Sequence, residues 1–82
     1  MIVEAKFSSS NIAGKLRDGA YELPEGATVA ELIEAAQSES GYMLTEEDKE
    51  TLVFIFNNSP ASYDTGLSNG GKLRVLFKVM GG

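Results

Sequence analysis

Apolar and polar side chains alternate along the first seven residues. Val3, Ala5 and Phe7 fall on one face, Glu4 and Lys6 on the other. A period of two is the pattern of a strand with one buried face. The stretch SSSNIAGKLRDG follows, rich in Ser, Asn and Gly, and reads as a loop. AYELP is a short second strand closed by Pro24. The period then lengthens to that of a helix. Val29, Leu32, Ile33 and Ala36 recur at i, i+3, i+4 and i+7 and make one apolar stripe, with Glu31, Glu34 and Gln37 expected to point away from it. Thr28 is a good N-cap, and Glu31 three residues on completes a capping box, in which two backbone N–H groups left over at the helix start are satisfied reciprocally. The spacing predicts a helix over about 28–38, ended at Gly41.

LTEEDKE reads as a shorter helical turn, with Thr45 and Asp48 as a second, weaker capping box. Thr51–Phe56 is a concentrated run of strand formers, apolar on both faces, which places it centrally with one face under the helix. NNSPASYDTGLSNGGK is turn chemistry throughout: Asn57-Asn58, Pro60, Asp64 and Asn69-Gly70-Gly71. In the last strand, KLRVLFKVM, Leu73, Val75, Phe77 and Val79 alternate with Lys72, Arg74, Leu76, Lys78 and Met80. The order is therefore strand, strand, helix, strand, a short element, strand. One helix laid across one face of a mixed sheet of four to five strands is an α+β architecture. With the helix set between two strand pairs, a β-grasp (ubiquitin-like) fold is expected. It would form a single domain over 1–82, ending in a flexible Gly-Gly tail at about 79–82.

Composition removes most independent chemistry. The 82 residues suit one domain, which buries roughly 60% of its unfolded surface. With no Cys and no His, the chain has no disulfide, thiolate nucleophile or Cys/His zinc site, and it lacks the commonest general base. A stand-alone activity is not expected. Seven basic against twelve acidic residues, a net charge of −5, argue against nucleic acid as a partner and suit a basic groove on a protein. No segment reaches the roughly 20 apolar residues of a membrane span, and Glu4 interrupts any leader-like start. A cytoplasmic protein without membrane contact is expected.

What remains unexplained is the ending, Val79-Met80-Gly81-Gly82. Glycine contributes no packing and loses the most entropy on ordering, so a terminal pair is either idle or is itself the working part. Taken with TVAELIEAA at 28–36, Asp64-Thr65-Gly66-Leu67 and Gly70, this ending resembles the ubiquitin-like sulfur-carrier proteins, among them the small subunit of molybdopterin synthase and the thiamine-biosynthesis sulfur carrier. The resemblance covers most of the chain. Three places depart from the family pattern: Gly71 stands where the family has Asp, Phe77 and Lys78 continue the strand where a Pro is frequent, and the loop after the first strand lacks an Arg-Glu pair.

The resemblance implies a cosubstrate, or a small non-catalytic subunit of a sulfurtransferase such as molybdopterin synthase. A ubiquitin-activating-type adenylyltransferase would use ATP to adenylate the carboxylate of Gly82, and a sulfur donor would displace AMP to leave a thiocarboxylate. A cofactor-synthesis enzyme such as the molybdopterin synthase large subunit would consume that sulfur. No cofactor would be bound by the chain itself; ATP belongs to the activating partner. Gly81 and Gly82 would let the tail enter a narrow channel that a Cβ would crowd. An extended chain advances about 3.3 Å per residue, so four residues reach well over 10 Å. Thiamine or another sulfur pathway is a near variant. A different class, a protein modifier conjugated to lysines through Gly82, uses the same activated carboxylate. A plain interaction domain is the third reading. Arg74, Leu76, Lys78, Val79 and Met80 are the candidate partner-binding residues, an apolar centre within a charged rim. Phe54, Phe56 and Phe77 are assigned to the core.

Overall fold

The computed structural model describes residues 1–8, 12 and 14–77. The alternation near the start becomes strand β1, Ile2–Phe7, with Val3, Ala5 and Phe7 buried and Ile2, Glu4 and Lys6 exposed. β2 is Gly19–Glu22, antiparallel to β1. Helix α1 runs over Val29–Ser40, two residues past the expected end, and its Thr28–Glu31 capping box is formed. It stops at Gly41, whose φ of 70° closes the last turn by donating its N–H to the Gln37 carbonyl. The second turn is α2, Glu46–Glu50, capped by Thr45 and Asp48. β3 is Leu52–Phe56 and β5 is Lys72–Phe77. Between them lies β4, Ser59–Ala61, in a stretch read from sequence as turns alone. Asn57 and Asn58 both take positive φ, as the tight β3–β4 turn demands.

The sheet has five strands in the order β2-β1-β5-β3-β4. β1 and β5 pair in parallel and every other pair is antiparallel, so the sheet is mixed. β5 takes the middle position expected for β3, which lies one place inward from the edge. Only one face of β3 is buried: Leu52, Phe54 and Phe56 point inward, while Val53 is exposed and Ile55 half-buried.

The core lies between α1 and the inner face of the sheet. Val29, Leu32, Ile33 and Ala36 join Val3, Ala5, Phe7, Phe54, Phe56, Leu73 and Val75 in a single cluster. Phe77 is half-buried and packs against its rim. Gln37, expected to face solvent, is 4% exposed. Its spacing from Ile33 puts it on the buried stripe, and its Oε1 accepts a hydrogen bond of 2.8 Å from the backbone N–H of Leu44. Burying an amide is tolerable because a loop N–H needs that acceptor.

Candidate docking face

The segment Asp64-Thr65-Gly66-Leu67, prominent in the sequence, lies across the start of α1. The carbonyl oxygens of Thr65 and Tyr63 accept hydrogen bonds of 3.0 Å from the N–H groups of Val29 and Ala30. Thr28 Oγ1 accepts from the N–H of Glu31, and Leu67 N–H donates to the Ala27 carbonyl. The helix therefore enters with its orphan donors satisfied by this segment and the cap. Asp64 itself is exposed. The motif is a latch that fixes the helix against the sheet, and no described contact gives it a chemical role.

The sheet's outer face, opposite α1, is open. The register sets out its side chains in rows. Lys6 of β1, Arg74 of β5, Ile55 of β3 and Pro60 of β4 stand side by side. On one side of that row Glu4 neighbours Lys72, and on the other Leu76 neighbours Val53. Lys6, Lys72 and Arg74 are exposed, Leu76 is half-buried, and Val53 is 38% exposed. A shallow groove of about 560 Å³ runs over this face, lined in part by Lys6, Ile55, Lys72 and Arg74. An apolar patch of Val53, Ile55 and Leu76 thus adjoins three cations, in a chain whose net charge is −5. Of the residues expected to bind a partner, Arg74 and Leu76 lie on this face, while Lys78, Val79, Met80, Gly81 and Gly82 lie outside the described residues. Val53, Ile55 and Lys6 were not among those expectations. The apolar outer positions of β3 were a visible signal, but the pairing of β3 and β1 with β5 was not.

The fold recurs in solved structures. SAMP1 from Haloferax volcanii superposes with a TM-score of 0.73 at 18% identity, over 100% of both chains. The putative molybdopterin converting factor subunit 1 of Pyrococcus furiosus superposes with a TM-score of 0.68 at 27% identity, over 96% of this chain and 99% of that one. The chain is a ubiquitin-like β-grasp protein. A third β-grasp relative occurs in the complex of subunits 1 and 2 of molybdopterin-converting factor from Helicobacter pylori 26695, with a TM-score of 0.57 at 22% identity and 100% of both chains covered. No protein-family model matches this β-grasp chain, and no curated protein matches it by sequence. Among its described residues no group of His, Cys, Asp or Glu side chains could hold a metal ion, and no helix is long and apolar enough to cross a membrane.

Proposed function

We propose that this β-grasp chain is a sulfur carrier whose Gly82 carboxylate is adenylated, converted to a thiocarboxylate and used to donate sulfur in molybdopterin biosynthesis. The observation that supports this most is the superposition on a molybdopterin converting factor subunit 1 over nearly the whole of both chains, at 27% identity. The chain's own contribution is positional. β5 is the central strand, held by β1 on one side and β3 on the other, so the segment that follows Phe77 starts from the most firmly paired part of the fold.

The two partners divide the chemistry. An adenylyltransferase of the ubiquitin-activating type joins the carboxylate to AMP from ATP, releasing pyrophosphate. A carboxylate is ionised at neutral pH and a poor electrophile, and the adenylate gives it a good leaving group. Sulfide from a donor then replaces AMP. The second partner is a molybdopterin converting factor large subunit, a reading supported by the Helicobacter pylori complex of subunits 1 and 2. The outer sheet face, with Arg74 and Leu76, docks the partner while the tail enters its active site.

The test is the intact mass of the chain after incubation with ATP, a sulfur donor and an activating enzyme of this type. A gain equal to the replacement of one oxygen by sulfur, lost when Gly82 is deleted, is the expected result. No change, with the enzyme active on its own carrier, would overturn the reading. Covalent adducts to lysines of other proteins, in place of a free thiocarboxylate, would assign the chain to the modifiers.

A further inference from the structure

A second groove, of about 410 Å³, lies on the helix side of the molecule. Its floor is Ala30, Ile33 and Tyr63, and its rim carries Glu34 from α1 with Glu46, Lys49 and Glu50 from α2, three carboxylates against one cation. All three carboxylates are exposed. Among the described residues the one ion pair is Arg17–Glu39, at 2.9 Å, so none of the three is neutralised by an ion pair there. Residues 29–50 hold seven carboxylates against the single Lys49, a net of −6, which leaves +1 for the rest of the chain. The net negative charge of this protein is that of residues 29–50.

Helix stability accounts for Glu46, which lies in the first turn of α2, but not for Glu50. Glu46 and Glu50 are four apart on α2, a like-charge pair that opposes helix formation. Glu50 is also the last residue of α2, where the helix dipole disfavours a negative charge. The groove is preformed. Tyr63 donates its hydroxyl hydrogen to the Lys49 carbonyl at 2.7 Å, holding α2, and the Gln37 side chain accepts from Leu44 N–H, holding the connection between the helices.

We propose that this groove is a second docking site, and that its occupant is a protein segment bearing lysines or arginines around an apolar side chain. The cations meet the carboxylate rim and the apolar side chain seats on Ala30 and Tyr63, which are half-buried. Nucleic acid and anionic membrane are repelled by the same rim. The groove faces away from Arg74 and Leu76, so this site and the outer sheet face can be filled together, and nothing in it depends on Gly82.

The experiment is a nuclear magnetic resonance titration of the full chain, isotopically labelled, with two peptides of equal charge. One is Lys-Leu-Lys-Lys-Leu-Lys, the other Lys-Ser-Lys-Lys-Ser-Lys. The leucine peptide is expected to move the amide signals of Ala30, Glu34, Glu46, Glu50 and Tyr63 while leaving Glu4, Lys6, Lys72 and Arg74 in place. It should bind roughly tenfold more tightly than the serine peptide, from burial of its apolar side chains. Combined Glu34→Gln, Glu46→Gln and Glu50→Gln should weaken it by about tenfold more with signal dispersion unchanged, and deletion of Gly82 should leave it untouched. Equal affinity for the two peptides, or shifts spread over every acidic residue, would reduce the site to diffuse charge and overturn the proposal. Self-association of the chain that the three substitutions abolish would also overturn it, by assigning the groove to a second copy.

Discussion

Gly71 is buried beneath the Phe56 ring, and the space above its Cα is already taken. A Cβ there would press against Cζ and Cε1 of Phe56 and lie 3.0 Å from the Ser68 carbonyl oxygen. Gly71→Ala should therefore destabilise by about 1–3 kcal/mol, as overpacking does, read as a lower urea midpoint at unchanged slope. An unchanged midpoint would mean that the ring moves aside without cost. Two tyrosines give the chain a pH dependence at the alkaline end. Burial raises the hydroxyl pKa of Tyr63 and of Tyr21, with Glu46 adding to the rise at Tyr63 and Arg17 opposing it at Tyr21. The unfolded chain ionises first, near pH 10, so it binds fewer protons than the folded chain above that pH. The stability these groups confer is full below about pH 10 and declines as pH rises through their raised folded values. Tyr63→Phe removes the hydrogen bond to the Lys49 carbonyl, costing about 0.5–1.5 kcal/mol at neutral pH, and should flatten that alkaline decline. A variant with the same decline as the parent would place its origin elsewhere. Gln37 marks the limit of reading single residues from sequence. Its four-residue spacing from Ile33 already placed it on the buried stripe, and polarity alone suggested otherwise. The need of Leu44 N–H for an acceptor arises only once the chain turns back after α1.

At the scale of elements, α1 is where local and tertiary signals agree most closely. Its cap, stripe and terminal glycine were all legible, and Leu32 lies at the centre of the stripe with no exposure. Leu32→Ala should cost about 2–5 kcal/mol, measurable by thermal or urea unfolding, and a loss below about 0.5 kcal/mol would mean the helix packs by another face. The alternation of β1 and β5 was equally legible, because one face of each is wet and the other dry. β4 was not: Ser59, Pro60 and Ala61 have little strand propensity, and they pair only because the Asn57-Asn58 turn brings them against β3. The 64–67 latch was visible as a motif, but its work was not. Its backbone accepts from helix donors more than thirty residues earlier, a relation that no periodicity carries. For the same reason the outer docking face was only half legible. β5 displayed Arg74 and Leu76, whereas Lys6, Ile55 and Val53 join them through strand register.

For the molecule as a whole, charge is divided by the sheet. Residues 29–50, the helical part of the chain, hold seven of the twelve acidic residues against one lysine, and the outer face gathers Lys6, Lys72 and Arg74 around an apolar patch. A partner for the outer face should then have an acidic rim and an apolar centre, and the complex should weaken as salt rises. Arg74 is exposed in the middle of the Lys6–Arg74–Ile55 row, so Arg74→Glu reverses a charge within the patch without disturbing the core. Paired with Leu76→Ser, it should leave the urea midpoint nearly unchanged, since both residues lie outside the buried cluster. Its effect belongs to association. On the proposed sulfur-carrier role, and if docking and chemistry are separate, the concentration of chain needed for half-maximal sulfur loading by an activating enzyme should rise about tenfold. The rate at saturation should hold, because the substitutions remove binding that ground and transition states share. The rise should shrink in high salt, where the lost charge contact was already screened. A fall in the saturated rate, with half-loading unchanged, would mean instead that these side chains aim the segment after Phe77 into the partner's active site.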